Sequence, residues 1–98
     1  MPPVIWSPNA IRGVQRAYRF LAEKDKDAAK AMAAVLFKYA EILAKFPNSG
    51  RPAADLEPEQ RELIIPFGSA GYVLLYHFDA DRAGVIVVAI RHQKEIGY

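Results

Sequence analysis

The stretch RELIIPFGSAGYVLLYHFDADRAGVIVVAIRHQKEIGY, residues 61–98, contains three apolar runs separated by clusters of Gly, Pro and Asp. Runs of this length that are rich in Val, Ile, Tyr and Phe and bounded by turn formers are typical of β-strands. The short connections between them predict an antiparallel meander, with strands near residues 61–66, 71–78 and 84–92. The third run is the most apolar, and we expect it in the interior of the sheet.

The length and composition describe an ordinary globular chain. Its 98 residues suffice for one domain, and we expect residues 1–98 to form a single unit. The hydrophobic fraction of 52% and the charged fraction of 24% show no sign of disorder or fibrous repetition. A net charge of +2 is too small to indicate a nucleic-acid partner without further evidence.

Several classes of site and location are disfavoured by the sequence. The chain has no cysteine, which excludes disulfides, a thiol nucleophile and a cysteine zinc site. Its two histidines alone do not make a convincing metal site, and we expect neither metal nor cofactor. The N-terminus lacks the pattern of a signal peptide, and no apolar run approaches the roughly 20 residues that span a bilayer. We therefore expect a cytoplasmic protein without a membrane partner.

The first of two predicted helices follows a short apolar run at residues 4–6. That run is long enough only for a brief strand, and its neighbour in the sheet is left open. Ser7 can accept a hydrogen bond from an early backbone N–H, and Pro8 occupies the first helical position, where no donor is needed. Helical spacing continues to about Glu23. The predicted apolar face of this helix contains Ile11, Val14, Tyr18, Leu21 and Ala22.

The second predicted helix follows the polar segment at residues 24–27. Asp25 or Asp27 can cap it, and it extends to about Phe46, before a proline. Its alanines allow the two helices to approach closely in an antiparallel hairpin. The predicted apolar stripe of the second helix contains Met32, Val35, Leu36, Tyr39, Leu43 and Phe46.

These elements predict an α+β fold. A short N-terminal strand and a two-helix antiparallel hairpin are combined with a mainly antiparallel sheet of three to four strands. In the last strand, we expect Val85, Val87, Ala89 and Arg91 to alternate with residues on the other face. Because both faces are apolar and two helices cover only one, we expect the other face to be a concave surface, an interface or the seat of a partner chain.

The end of the last strand carries the clearest chemical cluster. Arg91, His92, Lys94 and Tyr98 place two cations, an imidazole and a phenol within eight residues, with Glu95 among them. Arg61, at the start of an earlier strand, is expected to lie at the opposite end of the sheet.

A second group of cations lies on the first helix, where arginines 12, 16 and 19 fall on one face. They could bind phosphates or carboxylates of a partner. We favour the simpler interpretation, in which they form a solvated face.

The order of these elements and motifs resembles the ParE/RelE superfamily of bacterial type II toxins, and the resemblance covers essentially the whole chain. It rests on FPNSGRP at residues 46–52, REL at 61–63, GYVLLY at 71–76 and IRHQKE at 90–95. The resemblance implies a helical hairpin packed on an antiparallel sheet. It also implies a cognate antitoxin that wraps the toxin and blocks it, in a hetero-oligomer.

The two branches of this superfamily differ in their targets. The resemblance implies either a ParE-like toxin that binds and poisons DNA gyrase, or a RelE-like endonuclease that cleaves mRNA on the ribosome. Residues 63–76 contain no Lys or Arg, although the RelE-like pattern places cations on these middle strands, and we therefore favour the ParE-like function. A degenerate, non-toxic module that binds the antitoxin is a third alternative. Arg91, His92, Lys94 and Tyr98 would bind the target in a ParE-like toxin, and would be catalytic in a RelE-like one.

Overall fold

The computed structural model describes residues 3–53 and 56–95 and confirms the predicted α+β architecture. It contains one five-stranded sheet with strand order β1-β5-β4-β3-β2 and two helices. The sheet therefore has one strand more than the three to four predicted. The elements are β1 Val4–Trp6, α1 Pro8–Ala22, α2 Lys26–Lys45, β2 Arg51–Pro52, β3 Arg61–Phe67, β4 Ala70–Asp79 and β5 Gly84–His92.

The strands β3, β4 and β5 form the predicted antiparallel meander. Strand β5 lies between β4 and β1, which confirms its interior position. The first strand runs parallel to β5, with Val4 opposite Val85, and this settles the pairing that the sequence left open. The added strand β2 pairs with β3 through only two residues, too few to show an alternating pattern in the sequence.

The helix starts agree with the predicted caps. Ser7 Oγ accepts a hydrogen bond from the Ala10 N–H at 3.0 Å and donates to the Val88 carbonyl at 2.8 Å. At the second helix Asp25 is the capping residue, and its carboxylate accepts from the N–H groups of Asp27 and Ala28. The first cap therefore also fixes α1 to the strand on which it packs.

The buried face of α1 is smaller than its apolar pattern predicts. Ala10 and Gly13 are buried, whereas Ile11 is 45% exposed, so its assignment to the core face is wrong. A Cβ at Gly13 would lie 2.5 Å from Cγ2 of Ile90. The missing side chain lets the helix approach β5 closely, and this contact turns the helix so that Ile11 points away from the core.

The predicted stripe of α2 is largely correct, since Met32, Leu36 and Leu43 are fully buried. Phe46 is the exception, with 62% exposure. The helix ends at Lys45, and the backbone of Phe46 is no longer helical, so its side chain leaves the stripe.

The alternation predicted for β5 is interrupted by a β-bulge. Leu75 lies opposite Ala89, but Tyr76 lies opposite Val87, so Val88 is an additional residue on β5. Val87 therefore faces the helices, whereas Ala89 faces away from them. The prediction that these two residues share a face is wrong, because one extra residue reverses the orientation of everything beyond it.

The sheet face opposite the helices, here called the outer face, is defined by Val73, Leu75 and Ala89. All three are buried, and Ala53 packs against the latter two. The expectation that this chain leaves the face without cover is therefore wrong at its centre, because Ala53, which directly follows β2, packs against it. Among the described residues, neither helix is long and apolar enough to cross a membrane.

Candidate functional site

A groove of about 420 Å³ opens between α1 and the edge of the sheet where β4 begins and β5 ends. We call it the α1–β5 groove. Gly13 and Ala17 form its helical wall, so their small side chains leave the space that the groove occupies. The other residues that line it are Arg16, Phe20, Tyr72, Ile90, Arg91, His92, Lys94 and Glu95.

A tight turn fixes the imidazole of His92 at the rim of this groove. The His92 N–H donates to Oε1 of Glu95 at 2.9 Å, and the Glu95 N–H donates to the His92 carbonyl at 3.0 Å. The Lys94 N–H donates to Nδ1 of His92 at 3.1 Å. Because Nδ1 accepts this bond, the neutral ring carries its proton on Nε2. His92 is therefore presented as an N–H donor.

The phenol of Tyr72 forms the floor beneath His92. The two rings pack edge to face, with centroids 5.4 Å apart, and Tyr72 is only 6% exposed. Burial raises the pKa of the phenol above its ordinary value of 10.0, and the negative charge of Glu95 raises it further. Tyr72 therefore keeps its proton and can donate a hydrogen bond at neutral pH.

Arg91 lies next to His92 in the chain but points to the outer face. It lies opposite Val73, whereas His92 lies opposite Tyr72. Nη1 of Arg91 donates to the carbonyls of residues 92, 93 and 95, at 3.0–3.3 Å. Nη2 lies 3.8 Å from the carboxylate of Glu62. Arg91 therefore holds the turn in place with its guanidinium.

The Glu62 carboxylate joins two arginines on the outer face. Its second partner is Arg51, at 3.3 Å, so β2 and the end of β5 are held by one carboxylate. Only 12% of the Glu62 side chain and 16% of the Arg91 side chain are exposed. This partial burial makes the pair stronger than an ion pair in open solvent.

Arg61 belongs to neither group. It lies opposite Tyr76, three residues along β4 from Val73, a distance of about 10 Å. Its Nη1 donates to the Gly50 carbonyl at 2.8 Å, and Tyr76 Oη accepts from the Gly50 N–H at 2.8 Å. Arg61 therefore anchors the loop between α2 and β2. It lies apart from Arg91, but the prediction that it lies at the opposite end of the sheet is wrong, because both residues pair with the middle of β4.

The sequence profile of the family described as "ParE toxin of type II toxin-antitoxin system, parDE" matches residues 4–97. The chain belongs to this toxin family. The resemblance to the ParE/RelE superfamily is thereby confirmed over nearly the full length of the chain.

Two curated relatives from Caulobacter vibrioides carry RelE names. Toxin RelE3 is 33% identical over 95 residues, which cover 97% of this chain and 98% of the relative. Toxin RelE1 is 34% identical over 73 residues, which cover 74% of this chain and 75% of the relative. A chain of the intact E. coli RelBE toxin–antitoxin complex superposes with a TM-score of 0.61 at 15% identity, covering 97% of this chain and 100% of that one. At this low identity, the superposition shows a shared fold.

The predicted site residues differ in how the structure places their side chains. His92 and Lys94 both line the groove, whereas the guanidinium of Arg91 is engaged in internal bonds. The remaining predicted residue, Tyr98, lies outside the described residues. Arg91 also lines the groove, but its guanidinium turns to the outer face, because neighbouring residues of a strand point to opposite faces.

The groove also contains residues that the sequence analysis did not assign to a site. Arg16 lies on it, while Arg12 and Arg19, the other members of the predicted solvated face, do not. Phe20 lies one helical turn beyond Arg16. This spacing of four residues predicts that both side chains lie on the same face of the helix, and it could have identified them as one group. Tyr72 gave no such signal, because its side chain resembles any other apolar strand residue in the sequence.

Proposed function

We propose that this chain is a ParE-like toxin that arrests growth by binding and poisoning DNA gyrase, and that a cognate antitoxin neutralises it. The observation that carries the proposal is the match of the ParE toxin profile to residues 4–97. His92 and Lys94, on the α1–β5 groove, are the proposed target-binding residues, with Tyr98 beyond the described part of the chain. Arg91 supports them by holding their turn.

The position of Arg91, which would be catalytic in a RelE-like endonuclease, favours a binding function over RNA cleavage. Cleavage requires a base for the 2′-hydroxyl, cations for the phosphate and an acid for the leaving oxygen. Around Arg91 the outer face instead carries the buried apolar side chains of Val73, Leu75 and Ala89. The guanidinium itself bonds to backbone carbonyls, which leaves it poorly placed to receive a phosphate.

The antitoxin partner is supported by the family and by one solved relative. The RelBE structure is a toxin–antitoxin complex, and its toxin-like chain shares this fold. We propose a hetero-oligomer of the same kind here. Co-expression with its cognate antitoxin should restore growth and yield a complex that survives gel filtration.

The direct test is supercoiling by purified DNA gyrase titrated with this protein. We expect inhibition and an accumulation of cleaved DNA trapped on the enzyme. Unimpaired supercoiling and no trapped cleavage at saturating toxin would remove the proposal.

A RelE-like endonuclease acting on ribosome-bound mRNA is the second candidate, favoured by the names of the two curated relatives. In that case His92 would act as acid or base, and Lys94 would contact the phosphate. Translation extracts containing this protein would then show mRNA cuts that disappear in His92→Ala and Lys94→Ala. Intact message in those extracts would exclude this candidate.

A further inference from the structure

We infer that the α1–β5 groove is a docking pocket for an acidic peptide segment of a partner protein, in which one carboxylate side chain and a neighbouring apolar side chain enter together. The inference deepens the proposed function and rests on it, because His92 and Lys94 belong to both. It adds the chemistry of the segment that is recognised, and it adds residues of α1 and β4 to the site.

The floor of the groove carries an unused hydrogen-bond donor. Tyr72 is 94% buried and lines the groove, yet within residues 3–53 and 56–95 its hydroxyl has no hydrogen-bond partner. Although most of the ring is buried, the hydroxyl itself is open to the groove, so it can donate a hydrogen bond to an acceptor that enters from outside. A carboxylate oxygen is such an acceptor.

Two cations lie at the groove. Arg16 and Lys94 approach the groove from the helix and from the turn, and both are exposed. Neither forms an ion pair with a carboxylate in the described part of the chain. Together with the Nε2–H of His92, they place donors and positive charge around the groove. Arginine and lysine bind carboxylates through charge-assisted hydrogen bonds.

An apolar surface lies beside these cations. Phe20 is 61% exposed, and Ala17 and Ile90 extend its surface into the groove. An aromatic ring this exposed is well placed to bury an apolar side chain of a partner. The Lys24 ammonium lies 5.0 Å from the centroid of the Phe20 ring and adds positive charge to the same rim.

The groove fits a peptide better than a nucleic acid. The Glu95 carboxylate lies on the groove, where it would repel the successive phosphates of a nucleic-acid chain. A single carboxylate meets this repulsion only once, and the positive charges of Arg16 and Lys94 offset it. The volume of about 420 Å³ is near the lower end for ligand pockets and suits a few side chains rather than several nucleotides.

The test is an NMR titration of the purified full chain with three probes. The first is the peptide acetyl-Ala-Glu-Leu-Asp-Ala-amide, and the second is its uncharged match, in which Gln and Asn replace the acids. The third is a single-stranded deoxyadenosine hexanucleotide. We expect saturable shifts of the backbone amides of Arg16, His92 and Lys94 with the acidic peptide. Binding of the uncharged peptide should be about tenfold weaker.

Two variants attribute the binding to the groove. Tyr72→Phe removes the unused hydroxyl alone, and Arg16→Gln removes one cation. Each should weaken binding of the acidic peptide by about fivefold or more, the expected effect of losing one hydrogen bond to a charged group. Arg12→Gln is the matched control on the same helix, and it should bind like the unmodified chain because Arg12 does not line the groove.

Equal binding of the two peptides, tighter binding of the oligonucleotide, or no shift at the groove amides would each overturn the inference. The gyrase assay is a separate readout. Acidic-peptide binding without inhibition of gyrase would remove the proposed function and leave the docking chemistry in place. Inhibition of gyrase without peptide binding would overturn the docking inference and leave the proposed function in place.

Discussion

His92 and Arg91 are adjacent in sequence, yet they belong to two regions with opposite organisation. On the helix side, His92, Tyr72 and Arg16 point donors and charge into an open groove. On the outer face, Arg91 is bonded to three carbonyls and to Glu62. A cluster of charged residues at a strand end can therefore contain both the residues of a site and the residues that hold the site in place.

The largest loss of stability should come from removing Arg91, which supports the turn after β5. Arg91→Ala removes the bonds that hold the turn after β5 and leaves the half-buried Glu62 carboxylate with one arginine fewer. We expect a loss of about 2–3 kcal/mol in the free energy of unfolding. Urea denaturation followed by circular dichroism measures it.

Lys94→Ala is the matched control for this variant, since Lys94 is an exposed cation of the same turn. Its free energy of unfolding should change by less than about 0.5 kcal/mol. If Arg91→Ala were equally stable but unable to inhibit the target, Arg91 would belong to the site rather than to its support.

The next largest change in stability is expected at the contact between α1 and β5, which lies at Gly13. Gly13→Ala adds a Cβ that would lie 2.5 Å from Cγ2 of Ile90, so α1 or Ile90 must move. We expect a net destabilisation of about 1–2 kcal/mol, because overpacking exceeds the gain of about 1 kcal/mol in helix propensity. Thermal unfolding gives the sign, with Gln15→Ala, an exposed position on the same helix, as the control. An increase in stability would show that the approach of α1 to β5 is not tight.

A smaller effect follows from the buried phenol. The pKa of Tyr72 in the folded chain is raised above its ordinary value of 10.0, so the unfolded chain loses this proton first as the pH rises. The associated stability is fully present below pH 10 and decreases as the pH rises through the pKa of the folded state. Urea midpoints at alkaline pH should therefore fall less steeply in Tyr72→Phe than in the unmodified chain.

Glu95→Gln sharpens the same measurement. It removes the smaller cause of the raised pKa, the negative charge, and leaves burial unchanged. The phenol should then titrate at a lower pH than in the unmodified chain but still above its ordinary value. A return to the ordinary value would show that burial contributes little.

The sequence predicted the parts of this structure that depend on periodicity and local chemistry. The meander, the helix caps and most of the α2 stripe follow from residues that are close in the chain. The bulge at Val88 could not be predicted in this way, because no local signal distinguishes it from its apolar neighbours, although it decides which residues share a face. The same holds for Ala53, whose packing on Leu75 depends on the path of a polar loop.

The candidate site was predicted only in part for a related reason. His92 and Lys94 stand out as polar residues at the end of an apolar strand. Arg16 is far from them in the chain, and only the close packing of α1 at Gly13 brings it to the same groove. The difference between Arg91 and His92 depends on strand orientation, which the bulge changes.

The central claim is that the helix-side groove contacts the target, whereas the outer face supports it. Gyrase supercoiling titrated with folded Arg16→Gln, Lys94→Gln and Arg51→Gln variants tests it most directly. The two groove variants should each need about tenfold more protein for half-inhibition, while Arg51→Gln should act like the unmodified toxin. Loss of inhibition in Arg51→Gln with full inhibition in the groove variants, or no inhibition by any of them, would contradict the claim.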